Sequence, residues 1–193
     1  LYGQSWGTTL GVEYYFKYPD KVKALILSSP LLNTNAWLND ARILISTLPD
    51  SIQKAIRVNE ENKTYDAPEY QEAIQTYYEN FVARKLPWSD DLDSSMANTE
   101  VSIYQTMWGP SEFTATGILK DYNCTHKLDK IKVPTLFICG EYDEATPATV
   151  KHYQSLVPGS KFVEIKNSAH LTMHDNPEDD LENISKFLAS IEE

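Results

Sequence analysis

Short apolar runs alternate with helically spaced apolar positions at both ends of the chain, and only the helical spacing persists in between. Near the start, Leu10, Tyr14 and Tyr18 recur at helical spacing until Pro19 and Asp20 break it, which predicts a helix over residues 6–18. Gly7 and Gly11 leave one stripe of that helix small, so that it can lie close to a sheet. Val22–Leu27 (V-K-A-L-I-L) is a short apolar run closed by Ser28, Ser29 and Pro30, the pattern of a buried parallel strand.

From residue 33 to residue 128 strand signals almost vanish. Trp37, Ala41, Leu44, Ile45 and Leu48 share one helical face. Asp66, Pro68 and Glu69 form a helix-start signature of cap, early proline and capping-box partner. Behind it Tyr70, Ala73, Ile74, Tyr77 and Phe81 make a stripe that reads as core packing. Pro87 and Trp88 mark a break, and a further helix over Thr99–Trp108 ends at Gly109 and Pro110. This insertion is too long for an ordinary crossover between neighbouring strands and reads as a separate lobe.

Alternation resumes after Leu128. Val133–Cys139 and Lys161–Ile165 read as strands, with a helix over Pro147–Leu156 between them. Asn176 and Pro177 start a last helix with Leu181, Ile184, Phe187, Leu188 and Ile191 on one face. The order β-α-β, helical lobe, β-α-β-α is that of an α/β fold, with core segments 1–32 and 129–193 and a helical cap over 33–128. Neither internal repeats nor low-complexity tracts interrupt it.

Composition narrows the function classes. The 193 residues are 41% hydrophobic, as in ordinary globular proteins. No apolar run approaches the roughly 20 residues of a membrane span, and no secretory signal is visible. The chain opens on Leu1 and Tyr2 at what reads as the end of a strand, so it is expected to be a piece of a longer protein. Such a piece should expose a sheet edge and an apolar face. Against 28 Asp and Glu stand 17 Lys and Arg, a net charge of −11. That argues against nucleic acid and anionic membranes as partners and is read as a solubility feature. Cys124 and Cys139 give no disulfide framework; Cys139 reads as a small buried hydrophobe, and both fit a reducing cytoplasm.

The chemistry lies at the strand ends. Gly3-Gln4-Ser5-Trp6-Gly7 reads G-x-S-x-G, a strand turning sharply into a helix with the serine hydroxyl pushed out over the sheet. Five residues alone read equally as a Gly-Ser turn, so context decides. Ser5, Asp143 and His170 each follow the carboxyl end of a predicted strand, the edge where α/β sheets build sites. A serine hydroxyl is a poor nucleophile until a base takes its proton, imidazole titrates near neutrality, and a carboxylate fixes the ring's tautomer. His126 falls in the exit from the lobe and His152 within a helix, where solvated roles are expected. His170 and His174 lie four apart but lack the Glu of H-E-x-x-H and a third ligand, so neither metal nor cofactor is expected. The backbone N–H of Trp6 is the expected oxyanion donor; a second would come from upstream of Leu1.

Four stretches give the chain a resemblance: Gly3–Gly7; Trp108-Gly109-Pro110-Ser111-Glu112-Phe113; Gly140-Glu141-Tyr142-Asp143-Glu144-Ala145-Thr146-Pro147; and Ala169-His170-Leu171-Thr172-Met173. Together they resemble the proline iminopeptidases, α/β-hydrolase aminopeptidases close to the tricorn-interacting aminopeptidase, over nearly the whole chain. One departure is Thr8, where many members carry a further glycine. The resemblance implies that Ser5, Asp143 and His170 form a triad. It further implies that Glu112 and Glu144 hold the free α-amino group of a short peptide and that Tyr104 and Trp108 line that pocket. The implied reaction is release of an N-terminal residue, preferably proline, through an acyl-enzyme. An esterase, amidase or lactonase on the same scaffold, and a non-catalytic α/β-hydrolase fragment, stand as the alternatives.

Overall fold

A computed structural model describes residues 1–192. Its centre is a four-stranded sheet in the order β1 (Tyr2–Gln4), β2 (Leu25–Ser28), β3 (Thr135–Gly140) and β4 (Lys161–Ile165), with every neighbouring pair parallel. Helices α1 (Trp6–Lys17) and α7 (Pro147–Ser155) cover one face of the sheet; α9 (Pro177–Glu192) covers the other. The strands read as continuous apolar runs because both faces are covered: β2 and β3 are buried at every position. On one face Val12 and Tyr15 of α1 meet Leu25, Leu27, Phe137 and Cys139; on the other Ile26, Leu136, Ile138 and Ile165 meet Phe187 of α9.

Between β2 and β3 the chain forms α2 (Thr34–Ile45), α3 (Asp50–Asn62), α4 (Pro68–Phe81), α5 (Asp90–Ala97) and α6 (Val101–Met107). Ala41, Leu48, Ile56, Tyr70, Ala73, Tyr77 and Phe113 pack into a second apolar cluster there. The chain's short last α-helical turn before α9 is α8 (Thr172–Asp175).

Several boundaries differ from the sequence expectation for physical reasons. The second strand starts at Leu25 rather than Val22, because Pro19–Lys21 form a 3-10 turn first. The third starts at Thr135 rather than Val133; Pro134 has no N–H to give a ladder and contributes only its carbonyl, to the Leu25 N–H. Ala67, not Asp66, caps α4, with no side-chain hydrogen bond at the cap. Helices α3 and α5 go beyond the sequence expectation: α3 packs Ile52, Ala55 and Ile56 into the second cluster, and Ser89 caps α5, its hydroxyl accepting from the Leu92 N–H. The stripe Leu10, Tyr14 and Tyr18 faces outward, while Thr8, Thr9, Val12 and Tyr15 form the buried side of α1. On α9, Phe187 is buried with Ile184 and Ile191 against it, whereas Leu181 and Leu188 are exposed. Leu1 and Tyr2, at β1, and Leu10, on α1, are each exposed. Both cysteines are buried free thiols.

Candidate active site

Ser5 occupies the turn between β1 and α1 with φ 53° and ψ −124°, a left-handed conformation that costs a serine and persists only where its surroundings enforce it. The enforcement is visible. The Ser5 N–H donates to Ser28 O at 3.0 Å, and the Ser5 carbonyl accepts from the Thr8 N–H at 2.9 Å and the Thr8 hydroxyl at 2.6 Å. Gly3 is needed because a Cβ there would stand 2.3 Å from Gly7 O. Gly7 is not under the same constraint: a Cβ there meets nothing within 4 Å among the described residues. Thr8, the departure from the family pattern, is fully buried and binds the elbow to the β2 exit, its Oγ1 also accepting from the Leu31 N–H at 3.0 Å. Trp6 is the first residue of α1, so its N–H lies among the first-turn amides with no partner inside the helix.

Asp143 follows β3 and His170 follows β4, both almost fully buried. His170 Nδ1 lies 2.9 Å from Asp143 Oδ1. The Asp143 carboxylate also accepts from the Ala145 N–H at 2.8 Å, the Gly140 N–H at 3.1 Å and the Ser29 hydroxyl at 2.6 Å. Gly140 permits the two loops to meet: a Cβ there would be 2.3 Å from Ala169 O. The Gln4 side-chain amide donates to His170 O at 3.3 Å, joining the β1 end to the same loop.

The helices between β2 and β3 close over this edge. The Phe81 carbonyl at the end of α4 accepts from the Glu144 N–H at 3.3 Å and from the His170 N–H at 3.2 Å. The Leu171 N–H donates to Val82 O at 2.8 Å. Asp175 accepts from the backbone N–H of Arg84, Lys85 and Ala169. The Trp37 ring of α2 stands edge-on to the His170 ring, with centroids 5.4 Å apart, and its Nε1–H donates to Glu112 O at 2.9 Å.

Glu112 and Glu144 occupy a different environment. Glu144 is fully buried, and neither carboxylate oxygen has a hydrogen-bond partner among the described residues. Its Oε1 lies 3.9 Å from His170 Nδ1. Burial first, then the negative charges of Glu112 and Asp143, push Glu144 well above the usual carboxylate range, against a smaller lowering by the neighbouring Tyr77 hydroxyl, which stands outside hydrogen-bond geometry. Burial raises Glu112 too, against lowering by His170 and by the Tyr104 hydroxyl, which donates to Oε1 at 2.8 Å. Tyr77, Tyr78 and Tyr104 surround the pair, and burial pushes each phenol upward. Neither glutamate pairs with a Lys or Arg among the described residues. Ser5 and Glu112 line one apolar cavity of about 300 Å³ together with Trp6, Trp37, Tyr104 and Trp108.

Ser5, Asp143 and His170 each follow a strand end as the sequence predicted; Asp143 and His170 are hydrogen-bonded, Ser5 shares a cavity with Glu112, Tyr104 and Trp108, and no hydrogen bond joins the Ser5 hydroxyl to His170 among the described residues. Sequence reasoning missed Ser29, Trp37, Tyr77 and Tyr78. Trp37 and Tyr77 carried a signal, their place on helical stripes, but that signal is shared by every core aromatic. His152 and His126 lie on the exposed surface, and His174 meets Lys85 O at 3.2 Å. Among the described residues no group of three or more His, Cys, Asp or Glu is arranged to hold a metal ion, and no helix is long and apolar enough to cross a membrane.

The family model described as the alpha/beta hydrolase fold matches residues 1–177. A proline iminopeptidase of Heyndrickxia coagulans is 43% identical over 194 residues, covering 99% of this chain and 67% of the relative. The solved structure of VinJ superposes with TM-score 0.94 at 33% identity, covering 99% of this chain and 65% of that one. The crystal structure of a proline iminopeptidase from Mycobacterium smegmatis gives TM-score 0.89 at 30% identity, covering 98% and 64%. The chain thus spans about two thirds of the length of the proteins it matches. The family match assigns the chain to the α/β-hydrolase class. Within that class the chain belongs to the proline iminopeptidase family.

Proposed function

We propose that the protein of which this chain is part is a serine aminopeptidase that releases an N-terminal residue, preferably proline, from short peptides. Ser5 attacks the carbonyl carbon of the first residue. His170 takes the hydroxyl proton and passes it to the leaving amine, and Asp143 holds the imidazole. The Trp6 N–H stabilises the oxyanion. Water then attacks the prolyl ester on Ser5, with His170 again as base, and the free residue leaves. Residues 33–128 act as a cap that admits only short chains.

The observation carrying the substrate assignment is the pair Glu112 and Glu144: two buried carboxyl groups with no Lys or Arg against them, Glu144 making no hydrogen bond among the described residues and standing 3.9 Å from His170 Nδ1. A free peptide amino group has a pKa of about 8 and is mostly cationic at neutral pH. Seated between Glu112 and Glu144 it supplies the missing donors and charge. Anchoring the amine there sets the cut one residue in.

The test compares prolyl-anilide with N-acetylprolyl-anilide on the full-length protein and its Ser5→Ala variant. Fast hydrolysis of the free-amine substrate alone, lost in Ser5→Ala, is expected. Equal rates on the N-blocked substrate or on simple acyl esters would replace this reading with an esterase or amidase. Full turnover by Ser5→Ala would remove the serine mechanism.

A further inference from the structure

One buried hydroxyl at the catalytic edge has no role in the mechanism above. Ser29 follows β2, the strand lying between the Ser5 strand and the Asp143 strand. It is fully buried and holds φ at 48°, in the left-handed region. That conformation is costly for a residue with a Cβ and needs local support. Support comes from its N–H, which donates to Ile138 O on β3 at 2.7 Å. The strained backbone aims Oγ at two acceptors: Asp143 Oδ2 at 2.6 Å and His170 O at 2.9 Å. The same atom therefore meets the side chain of the acid and the backbone of the base.

We propose that Ser29 is a positioning residue that locks the Asp143 carboxylate against the His170 loop. The proposal rests on the triad reading given above. The other donors to Asp143 show why a lock is needed. Gly140 and Ala145 belong to the same turn as Asp143, so their N–H groups hold the carboxylate only within its own loop. His170 is the group to be oriented. Ser29 brings a donor from a separate strand and ties it to the carbonyl of His170 itself.

Removing that hydroxyl has two consequences. The carboxylate gains freedom to rotate, so the imidazole is held less well for proton transfer. It also keeps more of its charge uncompensated and grips the protonated imidazole more tightly. Loss of a hydrogen bond to a charged group predicts a drop in kcat of about ten- to a hundredfold. KM changes less than about twofold, because Ser29 touches no substrate group. The acid limb of the kcat/KM profile moves to higher pH by roughly half a unit to one unit. The titratable groups facing this pair are Glu144 beside Asp143, Glu112, Cys139 on β3 and Tyr77 on α4, and all are unchanged by the substitution.

The experiment measures kcat, KM and the pH profile of prolyl-anilide hydrolysis for the full-length protein and for Ser29→Ala, Ser29→Gly and Ser5→Ala. Glycine accepts a φ of 48° freely, so Ser29→Gly removes the hydroxyl while relieving the strain. Both Ser29 variants are expected to show the same drop in kcat and the same shift of the acid limb. A wild-type kcat and profile in Ser29→Gly overturns the proposal, and so does a loss of stability or KM with the profile unmoved. If Ser29→Ala fails to fold, Ser29→Gly carries the test. Turnover by Ser5→Ala brings down the triad reading and this proposal with it, whereas an inert Ser5→Ala beside wild-type Ser29 variants brings down this proposal alone.

Discussion

Asp143 and Glu144 are adjacent in sequence and both buried, yet their hydrogen bonding is opposite. Asp143 accepts from His170, Ser29, Gly140 and Ala145. Glu144 accepts from no group among the described residues. The short side chain of Asp143 folds back onto its own turn, where backbone N–H groups converge. The longer side chain of Glu144 lies near Tyr77, itself fully buried, and Tyr78 of α4. A carboxylate satisfied by the protein is built to hold a protein group. One left unsatisfied at a depth where that is costly is built to meet a group brought from outside. On the proposed function, the contrast separates a corner for chemistry from a corner for recognition, one residue apart.

Three substitutions, giving four predictions, break or sharpen that contrast. The largest effect belongs to the chemistry corner: Asp143→Asn should lower kcat by about 10⁴-fold with KM little changed, as expected when the imidazole loses its orienting acceptor. Steady-state kinetics on prolyl-anilide check this. Next, Glu144→Gln should reduce kcat/KM for free-amine substrates by roughly 30- to 1000-fold, the scale of truncating one partner of a buried charged pair. The same variant should leave N-acetylated substrates unaffected; equal losses on both would merge the two corners. A smaller effect is expected for Trp37→Phe, which keeps the edge contact with His170 but removes the hydrogen bond to Glu112 O. One such bond is worth about 1 kcal/mol, or roughly a fivefold loss in kcat/KM.

The last prediction concerns stability. Burial raises Glu144 above its ordinary 4.5, so the folded state holds that proton more tightly than the unfolded chain. The resulting stabilisation is present in full below about pH 4.5 and is lost as pH rises through the raised value. Glu144→Gln removes this dependence and should stabilise the protein at neutral pH by roughly 1 kcal/mol, about 2–4 °C in Tm. Thermal melts across pH 4 to 8 would decide; a variant less stable than wild type at pH 7 would show that the carboxylate is already compensated in the free protein (these pH bounds are roughly where carboxylates and peptide amines titrate).

Much of the fold was legible because the two central strands, β2 and β3, are buried on both faces and read as apolar runs. The boundaries were not, since ladder pairing depends on Pro134 and on the turn at Pro19–Lys21 rather than on hydrophobicity. Helical stripes found α2 and α4; α3 carries a stripe of its own, Ile52, Ala55 and Ile56, among mostly polar residues, and α5 has its Ser89 cap but no buried residue. The stripe Leu10, Tyr14 and Tyr18 shows the limit of periodicity, which reveals a helical face and not the side that face takes. Candidate site residues with a motif were legible: Ser5 in its elbow, Asp143 and His170 at strand ends. Residues without one were not, and Ser29 and Trp37 are of that kind.

The sequence by itself determined the order of elements and the three candidate reacting groups, because strand-end position and chain order are one-dimensional facts. Tertiary structure decided what surrounds each group. Only the parallel order β1-β2-β3-β4 places Ser29 between the Ser5 and Asp143 strands, where its hydroxyl reaches both acid and base loop. Only the meeting of the β2, β3 and β4 exits gives one carboxylate its partners, and only the seating of the α4 end on them buries its neighbour without a hydrogen bond among the described residues. Hydrogen-bond satisfaction and desolvation depend on which distant segments pack together, and no local pattern of residues encodes that.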